Sequence, residues 1–295
     1  MGKFGQKMAW SAWSAWATVA GMAALAVTPA AAAGPAEPQQ ECPEVVVLAA
    51  RGSEQNADLE PTSYSDASPW VSNGYEAGNI RAFLRFTEAR HLAETGESLL
   101  ADVHVLALDG TVYPASLPLP AIAEPGEELD AAQTSSRLGG ILRETPAHVI
   151  ARDAFDGFVG SLHSGINGTM GYIDAWEAGT GCRPGYLLVG YSQGAMVLLA
   201  QEQELARRGQ LAGSFYFGNP LHALHPLVSE SGAVHYCADG DVVCHPTSSA
   251  GQAALGDGGG VHGLYFLDTD GDPAEAEVHV ADRFRERITG YTSRP

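Results

Sequence analysis

Lysine is almost missing from this chain of 295 residues: Lys3 and Lys7 are the whole complement, and every other basic side chain is arginine. The 16 basic residues face 35 acidic ones, a formal net charge of −19, which argues against nucleic acid as a partner because such a surface repels phosphate. An acidic surface with so little lysine fits tolerance of high salt or simple genome bias. Long apolar runs are missing as well. Past the first 33 residues nothing approaches the roughly 18 uninterrupted apolar positions of a membrane span, so no stable membrane anchor is expected. Cysteine is scarce, at four: Cys42, Cys182, Cys237 and Cys244. They include no CxxC pair and have no matched histidine pair, which weighs against structural zinc.

What is present begins with an export signal. Lys3 and Lys7 precede an apolar stretch through Trp16–Val27, and Ala31-Ala32-Ala33 supplies the small residues of a cleavage site. Residues 1–33 read as a signal peptide and 34–41 as a Pro-rich leader. An even number of cysteines in an exported chain favours two disulfides, with three pairings open. The remainder, residues 42–290, is long enough to bury one substantial core and reads as a single domain.

Val45–Ala50 is a continuous apolar, β-branched run, as a strand buried on both faces requires. Residues 75–95 carry apolar positions at helical spacing and stop at Gly96, and 102–108 reads as a second strand. Residues 114–146, rich in Pro, Glu, Gly and Ser, read as a long connection. Residues 150–176 read as weakly helical, and 186–190 as a third buried strand. A helix is expected over 195–208, strands over 213–218 and 233–237, and a closing amphipathic helix over 278–288. Strands alternating with helices predict an α/β fold: a three-layer α/β/α sandwich around a mostly parallel sheet.

The third strand runs straight into Gly190-Tyr191-Ser192-Gln193-Gly194, a G-x-S-x-G sequence that an amphipathic helix then leaves. That is the setting of a nucleophile elbow, where a serine is exposed on a tight strand-to-helix turn. A serine hydroxyl needs a base to take its proton and a carboxylate to orient that base. In this kind of fold the order along the chain is Ser, acid, His. Asp241 lies between Cys237 and Cys244, with Asp239 as its competitor. His262 lies in a Gly-rich loop ahead of the last helix and is preferred over His245, too near Asp241 in sequence, and over His279 on that helix.

Cys42-Pro43-Glu44-Val45, Ala50-Arg51-Gly52-Ser53, Tyr113-Pro114-Ala115, Gly190 to Ala195, Asp241-Val242-Val243-Cys244 and His262 occur in the order of the cutinase family, which the chain resembles from about residue 42 to 287. The resemblance implies a cutinase-like α/β-hydrolase cleaving carboxylic esters through an acyl-enzyme, without a cofactor or metal. It implies Ser192 as nucleophile, Asp241 and His262 as its partners, and an oxyanion hole from the N–H groups of Gln193 and Ser53. It implies disulfides Cys42–Cys182 and Cys237–Cys244. The chain departs from the family at Glu54-Gln55, where a small hydroxyl residue and then an acid are more usual. It is also longer near residues 56–74 and 117–160, insertions that could narrow the cleft. The expected substrates are short to medium acyl esters, with polyesters or lipids as extensions, and the chain is expected to act as a monomer. Acetylxylan-type deacetylation on the same triad and a non-catalytic secreted binding protein are the alternatives. Asp268-Thr269-Asp270-Gly271-Asp272 has the oxygen-rich look of a calcium loop but lacks an EF-hand's downstream glutamate, and is read as a solvated acidic turn.

Overall fold

A computed structural model describes residues 42–122, 127, 129–224, 232–246, 260–269 and 271–292. The expected signal peptide at 1–33 and leader at 34–41 lie outside these residues, as does Asp270.

Among the described residues five strands form one sheet: β1 (Val45–Ala50), β2 (Val103–Ala107), β3 (Gly185–Tyr191), β4 (Leu211–Phe217) and β5 (Val234–Tyr236). Their order is β2-β1-β3-β4-β5 and every neighbouring pair is parallel. Among the described residues the α-helices are α1 (Ala77–Thr95), α2 (Ala131–Glu144), α3 (Ala147–Thr180), α4 (Gln193–Leu199), α5 (Glu202–Arg207) and α6 (Glu275–Thr292).

The β1 sequence shows no polar alternation because both of its faces are covered. Val45, Val47 and Ala49 join Ile80, Phe83 and Leu84 of α1 and Phe284 of α6 in one core cluster. Val46, Leu48 and Ala50 join Ile173 of α3 and Val197 and Leu198 of α4 in the other. The result is the expected three-layer α/β/α sandwich. Phe83 anchors the first layer, with the rings of Phe217, Phe266 and Phe284 at 4.9, 4.8 and 4.9 Å. Burying one such side chain contributes about 1.5–3 kcal/mol.

Three stretches differ from the sequence reading. The connection over 114–146 contains α2, started by a reciprocal cap: Asp130 accepts from the Gln133 N–H at 2.8 Å, and Gln133 accepts from the Asp130 N–H at 2.8 Å. The helix expected over 195–208 is broken in two. Gln201 and Glu202 both turn inward at the break, Gln201 donating to the Ile166 and Val197 carbonyls and Glu202 accepting from Tyr216. The helix expected over 150–176 runs longer, as α3.

The cysteines form two disulfides, Cys42–Cys182 and Cys237–Cys244. The chain passes from β1 out to β2 and then back past β1 to β3, so the winding direction reverses between β1 and β3. At such a reversal the connections leave in opposite directions and open a crevice at the carboxyl ends of the strands, where open α/β sheets hold ligands. Ser53 follows β1 and Ser192 follows β3.

Candidate active site

Ser192 occupies a single non-helical residue between β3 and α4, with φ 53° and ψ −120°. This backbone region is costly for any residue with a Cβ, and it lifts the side chain off the sheet's edge. The Ser192 N–H donates to the Phe217 carbonyl at 2.8 Å, and its own carbonyl accepts from Ala195 at 3.1 Å. The turn is tight enough that a Cβ on Gly194 would stand 2.0 Å from the Ala50 carbonyl oxygen and 2.5 Å from that of Arg51. Only glycine fits where α4 leaves against the end of β1.

His262 sits in a short 3-10 turn, Gly260–Gly263. Its Nε2 is 2.9 Å from Ser192 Oγ and its Nδ1 is 2.8 Å from Asp241 Oδ2. A carboxylate can only accept, so Nδ1 carries the proton and Nε2 is left as the acceptor facing the serine hydroxyl. Tyr191 stacks on the imidazole with centroids 5.3 Å apart, and its hydroxyl donates to the His262 carbonyl. Below the pair lies Gly218, at φ 54°, where a Cβ would come 2.7 Å from His262 Cε1.

Asp241 is fully buried. Burial opposes its ionisation, but hydrogen bonds from His262, Tyr265 and the Val243 N–H outweigh that and hold the carboxyl below its usual range. Tyr265 donates to Oδ2 at 2.6 Å and Val243 to Oδ1 at 2.8 Å. Burial, and then Asp241 itself, push the Tyr265 hydroxyl upward, so it remains a donor. The Cys237–Cys244 disulfide closes the turn that presents Asp241.

Ser53 and Gln193, the expected oxyanion donors, lie at the ends of the two central strands. Neither N–H is spent on a backbone acceptor among the described residues. The Gln193 side chain is locked from below: its Nε2 donates to the Phe158 carbonyl at 3.1 Å, and its Oε1 stands 3.0 Å from the Tyr113 hydroxyl. Arg51, 1% exposed, ties the loop of Ser53 to its neighbours. Its guanidinium donates to the carbonyls of Leu108 at 2.9 Å and Tyr113 at 3.2 Å, and to Asn56 Oδ1. Glu54, the departure from the family pattern, uses its N–H on the Ala115 carbonyl at 2.7 Å and its carboxylate on the Leu117 N–H.

Asp239, His245 and His279 are exposed and away from this line of hydrogen bonds. Cys237, Cys244 and Asp241 lie close together, but both sulfurs are in the disulfide and offer no thiolate to a metal. Asp268 and Asp272 line a cavity of about 460 Å³ with Asp239 and Glu277. The Glu277 carboxylate is already engaged by the N–H groups of Phe266 and Ala274. Sequence reasoning missed the roles of Tyr265, Gly218 and Arg51. Their signal is weak because each acts across a large separation in the chain.

No protein-family model matches the chain, and no curated protein matches it in sequence. Solved structures similar to it include the cutinase of Trichoderma reesei in complex with a phosphonate inhibitor, 17% identical over 87% of this chain and 80% of that one, with a TM-score of 0.41. A cutinase-like protein from Cryptococcus sp. is 16% identical over 85% and 95%, with a TM-score of 0.37. An acetylxylan esterase is 13% identical over 84% and 100%, with a TM-score of 0.43.

Proposed function

We propose that this chain is an exported serine carboxylic ester hydrolase of cutinase type. The observation that carries the reading is the unbroken line from Ser192 Oγ through both His262 nitrogens to a fully buried Asp241, at 2.9 and 2.8 Å. The ordered cutinase motifs in the sequence support it independently.

On this reading Ser192 Oγ attacks the ester carbonyl as His262 Nε2 takes its proton. Asp241 stays ionised and holds the imidazolium in place. The N–H groups of Gln193 and Ser53 meet the negative charge that develops on the carbonyl oxygen, each such donor contributing about 3–4 kcal/mol to the transition state. The tetrahedral intermediate collapses as His262 returns the proton to the leaving alcohol, giving an acyl-enzyme on Ser192. Water, deprotonated by His262, then attacks the acyl carbon, and the second intermediate collapses as His262 returns that proton to Ser192 Oγ and the acid leaves. The chain's own side chains supply every proton transfer in this scheme.

The test is hydrolysis of p-nitrophenyl esters from acetate to palmitate by the purified chain and by Ser192→Ala. Turnover is expected to fall by about 10⁵-fold or more in the variant. The acyl-length optimum separates the two enzymatic readings: acetate alone points to a polysaccharide deacetylase, and butyrate or longer to a cutinase. Folded protein that hydrolyses none of the series, or a Ser192→Ala variant as active as the parent, would overturn the proposal in favour of a non-catalytic binding protein or another nucleophile.

A further inference from the structure

Asn79 lies in the first turn of α1, 2% exposed, and takes no part in the chemistry above. Its Nδ2 donates to the carbonyls of Gly263 at 3.0 Å and Tyr265 at 2.9 Å, the residues that follow His262. Its Oδ1 accepts from Gln55 Nε2 at 2.5 Å. Gln55 Oε1 accepts in turn from the Gly52 N–H at 3.0 Å, while the Gln55 N–H returns to the Gly52 carbonyl at 3.4 Å. Ser53 is enclosed in that turn.

The direction of this relay is fixed at both ends. A backbone N–H at Gly52 demands the oxygen of Gln55, and two carbonyls at Gly263 and Tyr265 demand the nitrogen of Asn79. Neither amide can flip without leaving buried groups unpaired. The relay therefore joins two loops that are far apart in sequence and belong to different parts of the reaction.

We propose that Gln55 and Asn79 form a positioning bridge that sets the oxyanion donor at Ser53 relative to the base His262, an inference that rests on the esterase reading. Neither residue touches a reacting atom. Proton transfer at Nε2 and charge development at the oxyanion happen in the same transition state, so the two loops must be in register together. A misplacement of about 1 Å between such groups costs on the order of 10²-fold in rate. The glutamine at position 55, a departure from the family's acid, is what makes the relay possible: a carboxylate there has no N–H to give to Asn79.

The test compares Gln55→Ala, Asn79→Ala and the double variant in the full chain. Each is followed for kcat and KM on p-nitrophenyl butyrate and for inhibition by phenylboronic acid, which forms a tetrahedral adduct on serine. Each single variant is expected to lose about 10-fold in kcat with KM within threefold, the boronate weakening by the same factor, and the double variant no worse than the poorer single one. If Asn79 only satisfied buried carbonyls, Asn79→Ala would lower the melting midpoint and Gln55→Ala would leave kcat alone. That result overturns the bridge, as do losses that multiply in the double variant. Should Asn79→Ala fail to fold, the half-buried Gln55→Ala decides the matter by its kcat. A parent chain without Ser192-dependent turnover overturns the bridge together with the esterase reading, and is recognised before any bridge variant is compared.

Discussion

Tyr265 gives its hydroxyl proton to the same Asp241 oxygen that receives His262 Nδ1–H, and that hydroxyl also accepts the Ala238 N–H at 3.0 Å. Tyr265→Phe removes both bonds and leaves a buried carboxylate short of a donor, at a cost of about 1.5–3 kcal/mol. The folded-state value of Asp241 is depressed, so its contribution to stability is present above the unfolded carboxylate value of about 3.9 and is lost as pH falls through the folded value. The melting deficit of Tyr265→Phe against the parent is therefore expected to be largest near pH 7 and to shrink toward pH 3. Calorimetry across that range checks it, and a deficit that grows with acidity would be the wrong sign. Ser192, Asp241 and His262 were legible in the sequence because each sits in a local pattern: an elbow, a small disulfide loop and a Gly-rich turn. Tyr265 was not, because a tyrosine in an apolar stretch reads as core until its hydroxyl is seen on a carboxylate 24 positions away.

Among the elements, the two disulfides do different things. Cys237–Cys244 spans seven positions and stiffens the turn carrying Asp241, whereas Cys42–Cys182 spans 140 and joins the segments just before β1 and β3. Loss of the long loop's bond is expected to cost about 5 kcal/mol by chain entropy, and less for the short one. Replacing Cys42 and Cys182 by serine should lower the denaturation midpoint with kcat nearly unchanged. Replacing Cys237 and Cys244 should lower kcat. The reverse pattern would remove the short disulfide's assigned role. Strands β1 and β3 were readable from continuous apolar runs, as a parallel strand covered on both sides requires. Helix limits were less so. The cap at Asp130 and Gln133 was visible in principle but lay in a stretch whose composition reads as loop. The break between α4 and α5 depends on where Gln201 and Glu202 find partners, which no helical period encodes.

At the scale of the molecule, the three-layer plan follows from the alternation of strands and helices, while the order β2-β1-β3-β4-β5 does not, because no local signal records which strand a crossover returns to. That order puts Ser53 and Ser192 beyond the carboxyl ends of the two central strands, and it puts Cys42 and Cys182 ahead of their amino ends. The covalent staple and the candidate cleft therefore stand at opposite poles of the same strand pair. The described part of the chain begins at Cys42, at the stapled pole. A bulky fusion partner, or a solid bead grafted there, should leave p-nitrophenyl butyrate turnover within about twofold of the free chain. The same graft placed after Ser53 should abolish it.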